Sequence, residues 1–365
     1  MLEPNNTRAD GAATAPDMTP STTTDWRRYA RVLFVTLALE LLTACALIAA
    51  ANPYGNLPVS LVGRHEIMDT NQRYQYPAIA RSGLYDSIVI GTSTSRLLRP
   101  AALQSAFGGH FANLAMDDST AWEQYRMASL FAHDVGKPRT LVVGLDHVWC
   151  RADADQHRMT ERGFPEWMFD DNPWNDVPWM LNARSVEFSL RRIAHAVGLK
   201  DVRIPFDGYE VFVPPEAQYD LTKAKANLKH PKAATTASAA PSPEDLAAFD
   251  FPALAWLDEL LGQSWERVIL LITPVHIGAQ PVPGQTAAWR ETECKARMAA
   301  IAQRHGVPLA DFRIKSEITS HDENYWDPLH YRIGIAERIV SGLDRAVKTK
   351  ADDPAGDWHV LSAGK

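Results

Sequence analysis

Short apolar runs alternate with amphipathic stretches along most of the chain. Residues 87–90 form a β-branched apolar run that ends at Gly91, which is typical of a strand buried in a parallel sheet. Stretches with apolar residues at helical spacing lie between such runs, and the alternation predicts an α/β domain on a mostly parallel sheet. Further strands are predicted at 111–114, 140–146, 267–274 and 307–312, and helices from about 99, at 122–133, at 291–305 and at 333–347.

A longer hydrophobic run lies near the amino terminus. It covers residues 32–51, about the ~20 residues that a helix needs to cross a hydrocarbon core of ~30 Å. Glu40 lies at mid-depth, where a carboxylate is costly unless it is protonated or faces a partner helix. Arg27, Arg28 and Arg31 precede the run, and few basic residues directly follow it. This asymmetry predicts that the rest of the chain lies outside the cytoplasm.

The same run has a second interpretation. Residues 42–45, Leu-Thr-Ala-Cys, resemble a bacterial lipobox, which would place a lipid on Cys45. The apolar run continues for six residues past this cysteine, whereas a short signal sequence should end there. We therefore expect an uncleaved transmembrane anchor over residues 26–51, with a lipoprotein as the alternative.

Composition divides the rest of the chain. Residues 1–25 are rich in Thr, Ala, Pro and Asn without apolar periodicity, which predicts a disordered tail. Residues 52–85 contain Pro/Gly turns and are interpreted as a linker leading into the domain. The α/β domain is expected over 86–347, and a second disordered tail over the polar residues 348–365.

One insertion is predicted within the domain, at about residues 150–245. Its first part is rich in Trp, Pro and Asp, and an Ala/Lys/Thr/Pro/Ser stretch at 223–243 predicts a flexible loop. Both parts lie between the third and fourth strands, so we expect one insertion beside the functional edge of the sheet. Its tryptophans either line a carbohydrate or acyl groove or pack the insertion itself.

Composition also excludes some classes of function. The chain of 365 residues is 46% hydrophobic, enough for one sizeable core or two small ones. A net charge of -7 gives no electrostatic footprint for nucleic acid. The three cysteines show no metal-ligand spacing, and we expect no metal or other cofactor. Cys150 and Cys294 form either a disulfide, if the domain is exported, or two separate buried thiols.

The first motif with chemical potential follows the first strand. It reads Gly91-Thr92-Ser93-Thr94-Ser95, and glycine permits a sharp turn there. The serine then lies at the carboxyl end of a parallel strand, where open α/β sheets bind their ligands. The N–H groups of the following turn suit a developing oxyanion. The alternative is that a serine here only caps the next helix.

The second motif lies just before the last predicted helix. It reads Asp327-Pro328-Leu329-His330 in a polar, aromatic loop. A serine hydroxyl becomes nucleophilic when an imidazole takes its proton, and a carboxylate must orient that imidazole. Asp and His three residues apart can bring both groups to one face of a site. The alternative is a helix cap or a surface contact.

The two motifs and the strand–helix alternation between them resemble the SGNH/GDSL hydrolase superfamily. The resemblance covers roughly residues 86–347, apart from the insertion. It implies a flavodoxin-like parallel sheet with flanking helices, and it assigns Ser93 as nucleophile with Asp327 and His330 as its acid–base partners. Residues 111–120 take the place of the family's second block, and Asp146 falls in the third.

The chain departs from the family in both of these blocks. The second block usually offers a glycine N–H to the oxyanion, and here acidic and hydroxyl residues occupy it. The third usually supplies an asparagine, whereas an ionised aspartate would repel an oxyanion. Either this aspartate is protonated, or backbone groups bind the oxyanion, or the site is not a standard hydrolase, or the residue caps a strand. The candidate oxyanion or substrate residues are Thr94, Asp118, Ser119, Asp146 and, after the fourth strand, His276, for which a structural role is the alternative.

The resemblance implies a periplasmic O-acyl enzyme tethered to the inner membrane. Such an enzyme would form an acyl-enzyme on Ser93 and transfer an acyl group, such as acetyl, to a cell-surface glycan. Its implied partners are an acyl donor, a glycan acceptor such as an exopolysaccharide, and a polytopic membrane-bound O-acyltransferase. Two alternatives remain: a carbohydrate or lipid esterase with the same triad, and a catalytically silent module that binds a glycan or a membrane partner.

Overall fold

The fold is described from a computed structural model of the chain. It describes residues 23–63, 65–154, 163–228 and 240–365, so the tail predicted at 1–25 lies almost entirely outside the described residues. The helices and strands within them are α1 Thr23–Ala51, α2 Gln72–Ala80, β1 Ser87–Ile90, α3 Pro100–Phe107, β2 Phe111–Asn113, α4 Ala121–Val135, β3 Thr140–Leu145, α5 Val177–Met180, α6 Ala183–Ala196, α7 Leu221–Asn227, α8 Pro243–Ala247, α9 Ala253–Leu261, β4 Arg267–Ile272, α10 Thr286–His305, β5 Pro308–Asp311, α11 Glu317–Ser320, α12 Ile333–Thr349 and β6 His359–Ala363.

The strands form one sheet in the order β2-β1-β3-β4-β5-β6. The first five pair in parallel, and β6 runs antiparallel to β5 at the edge. All five predicted strands are present within a residue or two of their expected bounds. The α/β prediction with a mostly parallel sheet and flanking helices is therefore confirmed.

Helices cover both faces of the sheet, because successive side chains on a strand point to opposite faces. On β1, Ile88 and Ile90 pack into a core cluster with Phe131 of α4. Val89, between them, packs into a second cluster with Leu103 of α3. All three strand side chains are fully buried, which explains the unbroken apolar run in the sequence.

The amino-terminal helix contains one stretch suited to a membrane. An 18-residue window within Trp26–Ala51 has a mean hydropathy of 2.4, and by length and composition the helix could cross a bilayer, properties that a signal sequence shares. Among the described residues, the compact unit that contains the sheet begins at Leu47. The helix ends where Asn52 adopts a left-handed conformation, with φ of 46°, directly before a proline.

The stretch 52–85 belongs to the folded domain, so its interpretation as a linker is wrong. Tyr54 and Tyr76 are at most 1% exposed, and α2 buries nearly all of its side chains. Arg73 of α2 forms a buried ion pair with Glu123 of α4, at 2.7 Å. Closely spaced aromatic residues between the Pro/Gly turns supply the apolar area that holds this stretch on the domain.

The carboxyl-terminal residues 348–365 also fold onto the sheet, contrary to the predicted disordered tail. They form the edge strand β6, preceded by Trp358, which is 2% exposed and lies 5.6 Å from the ring centroid of Phe312. Asp357 pairs with Arg338 of α12 at 2.6 Å. The strand is five residues long and follows the polar residues 348–357, so composition did not indicate it.

The insertion predicted at 150–245 lies in the same compact unit as the sheet. Its first part packs on the stretch 52–85, where the hydroxyl of Tyr54 lies 3.1 Å from Ser185 Oγ of α6. Its second part, including α7, reaches the loop before α12. The loop predicted at 223–243 is helical at both described ends, in α7 and α8, and its middle lies outside the described residues.

The tryptophans of the insertion have two different environments. Trp167 lies 6.1 Å from Tyr54 and 6.2 Å from Tyr74, measured between ring centroids, and so packs the insertion. Trp174 and Trp179 are each 63% exposed. Trp167 therefore fits the packing interpretation, whereas Trp174 and Trp179 are exposed on the surface of the domain.

Cys150 and Cys294 form a disulfide, which decides between the two interpretations of these cysteines. The bond joins the beginning of the insertion to α10 across a sequence separation of 144 residues. Cys45, in α1, is a free thiol. The covalent link restricts the unfolded chain over the whole insertion and β4.

Loss of this disulfide is expected to destabilise the domain. The Cys150→Ser and Cys294→Ser variants should each lower the free energy of unfolding by roughly 2–4 kcal/mol, because a long loop is no longer closed in the unfolded state. Urea titration of the wild type and the variants measures the change, with Cys45→Ser as the control that should leave it unaltered. Equal stability of all three variants would contradict the prediction.

Asp176, which precedes α5, is a buried carboxyl group that titrates near neutrality. It is 2% exposed, and burial raises its pKa to about 6 although the amide of Asn56 donates a hydrogen bond to it. The pKa of an unfolded aspartate is ~3.9, so the folded state binds this proton more tightly. The contribution of this group to the free energy of unfolding is therefore greatest below about pH 4, and it is lost as the pH rises through about 6.

The Asp176→Asn variant should be more stable than the wild type at pH 8. A neutral amide avoids the burial of a charge, so we expect a gain on the order of 1–3 kcal/mol that shrinks as the pH falls toward 4. Thermal unfolding at several pH values checks this. A gain that grows on acidification would contradict the assigned direction of the pKa shift.

Candidate active site

The turn after β1 presents one serine hydroxyl to the outside. Gly91 has a φ of +155°, and a Cβ there would lie 2.3 Å from Ser95 Oγ, so the turn requires glycine. Thr92 occupies the N-cap position of the 3-10 turn that Ser93 begins. Ser93 is partly exposed, whereas Thr94 and Ser95 are at most 5% exposed. The capping alternative therefore does not apply to Ser93.

Ser93, His330 and Asp327 form one line of hydrogen bonds. Ser93 Oγ lies 2.8 Å from His330 Nε2, and His330 Nδ1 lies 2.7 Å from Asp327 Oδ2. The first distance falls in the range of about 2.6–3.2 Å that joins a nucleophile to its base. Asp327 Oδ1 accepts from the backbone N–H groups of Leu329 and His330, at 2.9 and 3.0 Å. The short loop thus fixes the carboxylate and the imidazole together.

Two tyrosines brace this loop, and one of them bonds to the turn at residues 91–95, called the nucleophile turn below. Tyr325 and Tyr331 pair as an isolated antiparallel bridge, and Trp326 N–H donates to the carbonyl of His330 at 2.8 Å. The Tyr331 hydroxyl donates to the carbonyl of Thr94. Both tyrosines are fully buried. The imidazole therefore projects from a rigid loop.

The insertion supplies one wall beside the imidazole. Phe212 packs edge-on against His330, with ring centroids 5.0 Å apart. The guanidinium of Arg96 lies 4.6 Å above the Phe212 ring and pairs with Glu210. Sequence alone gave no signal for Phe212, because only the tertiary fold brings the insertion to this place.

The carboxyl group of Asp327 is ionised at neutral pH. Burial by itself raises its pKa, but the hydrogen bond and charge of His330 and the two backbone N–H groups outweigh burial, so the pKa is lowered overall. An ionised carboxylate only accepts hydrogen bonds, which places the His330 proton on Nδ1. Nε2 is then left to accept the proton of Ser93.

Two other predicted site residues, Thr94 within the nucleophile turn and Ser119 next to it, form hydrogen bonds with the surrounding protein. Thr94 Oγ1 lies 3.0 Å from Thr273 Oγ1 at the end of β4. The Ser119 hydroxyl donates to the carbonyl of Gly91 at 3.1 Å, and Gln124 donates to Ser119 at 3.2 Å. The protein's own atoms engage both side chains, so they support the turn.

Asp146 acts as a cap at the end of β3. It is 4% exposed, and its Oδ2 accepts from the hydroxyl of Thr92. Its Oδ1 accepts from the backbone N–H of Val148 at 3.1 Å. Of the alternatives for this residue, the geometry matches the structural cap.

Asp118 and His276 form hydrogen bonds that connect the loops around the site. Asp118 is left-handed, with φ of 48°, and its carbonyl accepts from Arg73 at 3.2 Å. His276 Nε2 lies 3.2 Å from Asp322, and its backbone N–H donates to the carbonyl of Pro328 at 3.0 Å. His276 therefore supports the His330 loop from outside.

Asn113, at the end of β2, is a positioning residue that the sequence motifs did not indicate. Its side chain is fully buried, and Nδ2 lies 2.9–3.1 Å from the carbonyls of Ser95, Arg96 and Leu98. Its Oδ1 accepts from Ala115 N–H at 3.0 Å. One amide thus ties the nucleophile turn to the neighbouring strand, and an asparagine ending a buried strand was the available signal.

A cavity of about 670 Å³ adjoins the site. Asp146 and Leu329 border it, and Leu145, Ile272 and Met298 give it an apolar lining. Its volume falls in the range of small-molecule pockets. Leu329, the residue before His330, is the point at which the cavity meets the histidine loop, and the three triad residues are not part of its lining.

The chain was also compared with known proteins. No model of a known protein family matches it, and a search of curated proteins finds no significant match.

Proposed function

We propose that this chain is a membrane-tethered serine enzyme of the SGNH/GDSL type that transfers an acyl group, such as acetyl, to a cell-surface glycan. The observation that carries the proposal is the hydrogen-bonded line from Ser93 through His330 to Asp327. A serine needs a base to become nucleophilic, and the base needs a carboxylate to orient it. The serine, its base and the orienting carboxylate are joined here by hydrogen bonds.

The topology supports the same proposal. The order β2-β1-β3-β4-β5 is the flavodoxin-like order 2-1-3-4-5, in which ligands bind where the strand order reverses, between β1 and β3. Ser93 follows β1 at that point. An SGNH-type domain combines such a sheet with a histidine loop before its last helix, as α12 and His330 do here.

The first half-reaction forms an acyl-enzyme. Ser93 Oγ attacks the carbonyl carbon of the donor while His330 Nε2 takes the hydroxyl proton. The tetrahedral adduct then breaks its bond to the leaving heteroatom, which receives that proton from His330. Asp327 stabilises the imidazolium between these steps. An ester of Ser93 remains.

Backbone groups are the oxyanion donors in this proposal. The N–H of Ser93 begins the 3-10 turn, and the first N–H groups of a helical turn lack a partner within it. The left-handed loop at Asp118, pinned by Arg73, is the second source. Asp146 has no donor role, because both of its oxygens accept.

The second half-reaction releases the acyl group. His330 takes the proton of an acceptor hydroxyl, whose oxygen attacks the acyl carbon, and Ser93 Oγ leaves and regains a proton. A glycan hydroxyl gives transfer and water gives hydrolysis. The side chains of His330 and Asp327 are 20% and 29% exposed. Water therefore reaches the imidazole, which makes a carbohydrate or lipid esterase the second candidate.

The apolar helix supports transfer at a membrane. Three arginines lie in its first turns, before the apolar run, and by the positive-inside rule this supports a periplasmic domain. The helix continues unbroken through Cys45 to Ala51, which supports an uncleaved anchor over a lipoprotein. A tether would hold Ser93 beside a donor delivered across the inner membrane, for example by a polytopic O-acyltransferase.

The Asp146→Asn variant tests the third alternative, a silent binding module. Because the protein's own donors engage both carboxylate oxygens, we expect the variant to retain kcat/KM within about tenfold of the wild type, the effect of one hydrogen bond. Ester hydrolysis by the two proteins measures this. An inactive wild type with an active variant would instead identify Asp146 as the cause of a lost activity.

Full-length protein in detergent micelles provides the test of function. We expect turnover of p-nitrophenyl acetate and, with an oligosaccharide acceptor, acetylated glycan detected by mass spectrometry. Acetate released at the same rate with and without acceptor would favour the esterase. Turnover of neither substrate class would contradict both enzyme proposals.

A further inference from the structure

Exposed apolar side chains are concentrated in two segments of the domain. Outside α1, the described residues include fifteen exposed large hydrophobic side chains, and ten of them fall within residues 59–61 and 174–202. Leu199 and Leu61 are 81% and 80% exposed. Surfaces that face only water seldom collect apolar side chains in this way. These two segments are called the apolar surface below.

Two tryptophans of this surface project from a fixed backbone. Trp174 and Trp179 are each 63% exposed. The N–H of Trp174 donates to Asn172 Oδ1 at 3.1 Å, and the amide of Asn182 donates to the carbonyl of Trp179 at 2.8 Å. Indole rings are enriched where one side is apolar and the other is wet, as at a membrane interface.

Helix α6 carries an apolar stripe in addition to its buried face. Phe188 marks the face that packs on the domain. Val186, Leu190, Ile193 and Val197 follow the spacing i, i+4, i+7, i+11, which places them on one side of the helix. Leu190 and Val197 are 54% and 64% exposed. The stripe therefore extends the apolar surface along α6.

This surface is attached to the residues that end the apolar helix. Leu61 N–H donates to the carbonyl of Ala50 at 2.8 Å. Arg192 of α6 donates to the carbonyl of Asn52 at 2.9 Å, and its guanidinium is 2% exposed. All of these residues belong to the compact unit that begins at Leu47. If the helix spans a bilayer, the apolar surface begins where the chain leaves it.

We propose that the apolar surface lies on the interfacial layer of the bilayer that α1 enters, so that the domain is docked on the membrane as well as tethered to it. The arginines of α6 all have carboxylate partners, since Arg184 and Arg191 contact Glu187 and Arg192 contacts Glu66. We expect the apolar side chains, rather than an anionic lipid, to carry the contact. The proposal rests on the membrane anchor of the proposed function and is independent of the chemistry at Ser93.

Labels at single cysteines test the contact in the full chain, reconstituted in phosphatidylcholine nanodiscs that contain a lipid with a shallow nitroxide. Native Cys45 carries an environment-sensitive fluorophore that reports the span. In a Cys45→Ser background, Trp179→Cys reports the apolar surface. Leu221→Cys on α7, 39% exposed in the native chain, is the matched control. We expect strong quenching at 45 and 179 at low and high salt, and little quenching at 221.

The outcomes separate this proposal from the anchor and from catalysis. Quenching at 45 without quenching at 179 overturns the docked surface and leaves the anchor. Equal quenching at 179 and 221 overturns the claim of a specific face, and a shielded but unquenched label at 179 in a dimeric sample would assign the surface to a second copy. The Trp174→Ser/Trp179→Ser double variant should lose the contact, seen as weaker quenching of a Leu61→Cys label, with unchanged melting temperature. Ester turnover in the same samples reads the proposed function separately.

Discussion

Replacement of Ser93 by alanine is expected to lower kcat/KM for an activated ester by at least about 10³-fold. The reason is that the attacking atom is lost, while the partly exposed side chain contributes little packing. His330→Ala should lower kcat/KM by a similar factor because it removes the base. Asp327→Asn should lower kcat/KM less, because it disturbs only the orientation of the imidazole. Steady-state kinetics with p-nitrophenyl acetate measure all three.

Ser95→Ala is the matched control, two residues further along the same turn. Ser95 Oγ is buried and has no hydrogen-bond partner among the described residues, so its removal should leave activity nearly unchanged. Ser93→Ala should also change the free energy of unfolding by less than about 0.5 kcal/mol. If Ser93→Ala lost stability together with activity, or if Ser95→Ala were equally inactive, the assignment of the nucleophile would be wrong.

Removal of either partner of the buried Arg73–Glu123 pair is expected to destabilise the domain by roughly 3–5 kcal/mol. The two side chains are 3% and 0% exposed and meet through two hydrogen bonds of 2.7 and 2.8 Å. Arg73 also donates to the carbonyls of Asp117 and Asp118. An unpaired charge would remain buried in Arg73→Ala or Glu123→Ala. Urea titration measures the loss.

The exposed pair Arg99–Glu337 serves as the control for this prediction. Its atoms also lie 2.7 Å apart, but the side chains are 49% and 38% exposed, so Glu337→Ala should cost at most about 1 kcal/mol. Replacing both Arg73 and Glu123 by apolar residues should recover much of the loss, because no charge is then left unpaired. Equal losses in the free energy of unfolding at the buried and the exposed pair would contradict this prediction.

The central strands and the three triad residues could be predicted from the sequence, because each is marked by a pattern within a few consecutive residues. The run at β1 is apolar throughout, since Ile88 and Val89 face different covered sides of the sheet. Ser93 and His330 each carry a short motif at an element boundary. Parallel strands place such boundaries on one edge, which brings residues 237 positions apart to 2.8 Å.

Other features depend on tertiary contacts that leave no local signal. Phe212 reaches His330 only because the insertion folds back over the edge of the sheet. The disulfide from Cys150 depends on Cβ geometry, which spacing does not encode. Strand β6 is only five residues long and follows the polar residues 348–357, and the buried residue next to it is the single Trp358. Composition therefore misassigned the last residues of the domain.

The most direct test of the account is covalent labelling of the full-length protein with a fluorophosphonate. Ser93 Oγ should attack phosphorus, fluoride should leave, and the hydroxyl proton should pass to His330. We predict one adduct per chain by intact mass, mapped to Ser93 by peptide sequencing and strongly reduced in the His330→Ala variant. No adduct, or an adduct at another residue that persists without His330, would contradict a serine acyl-enzyme at this site.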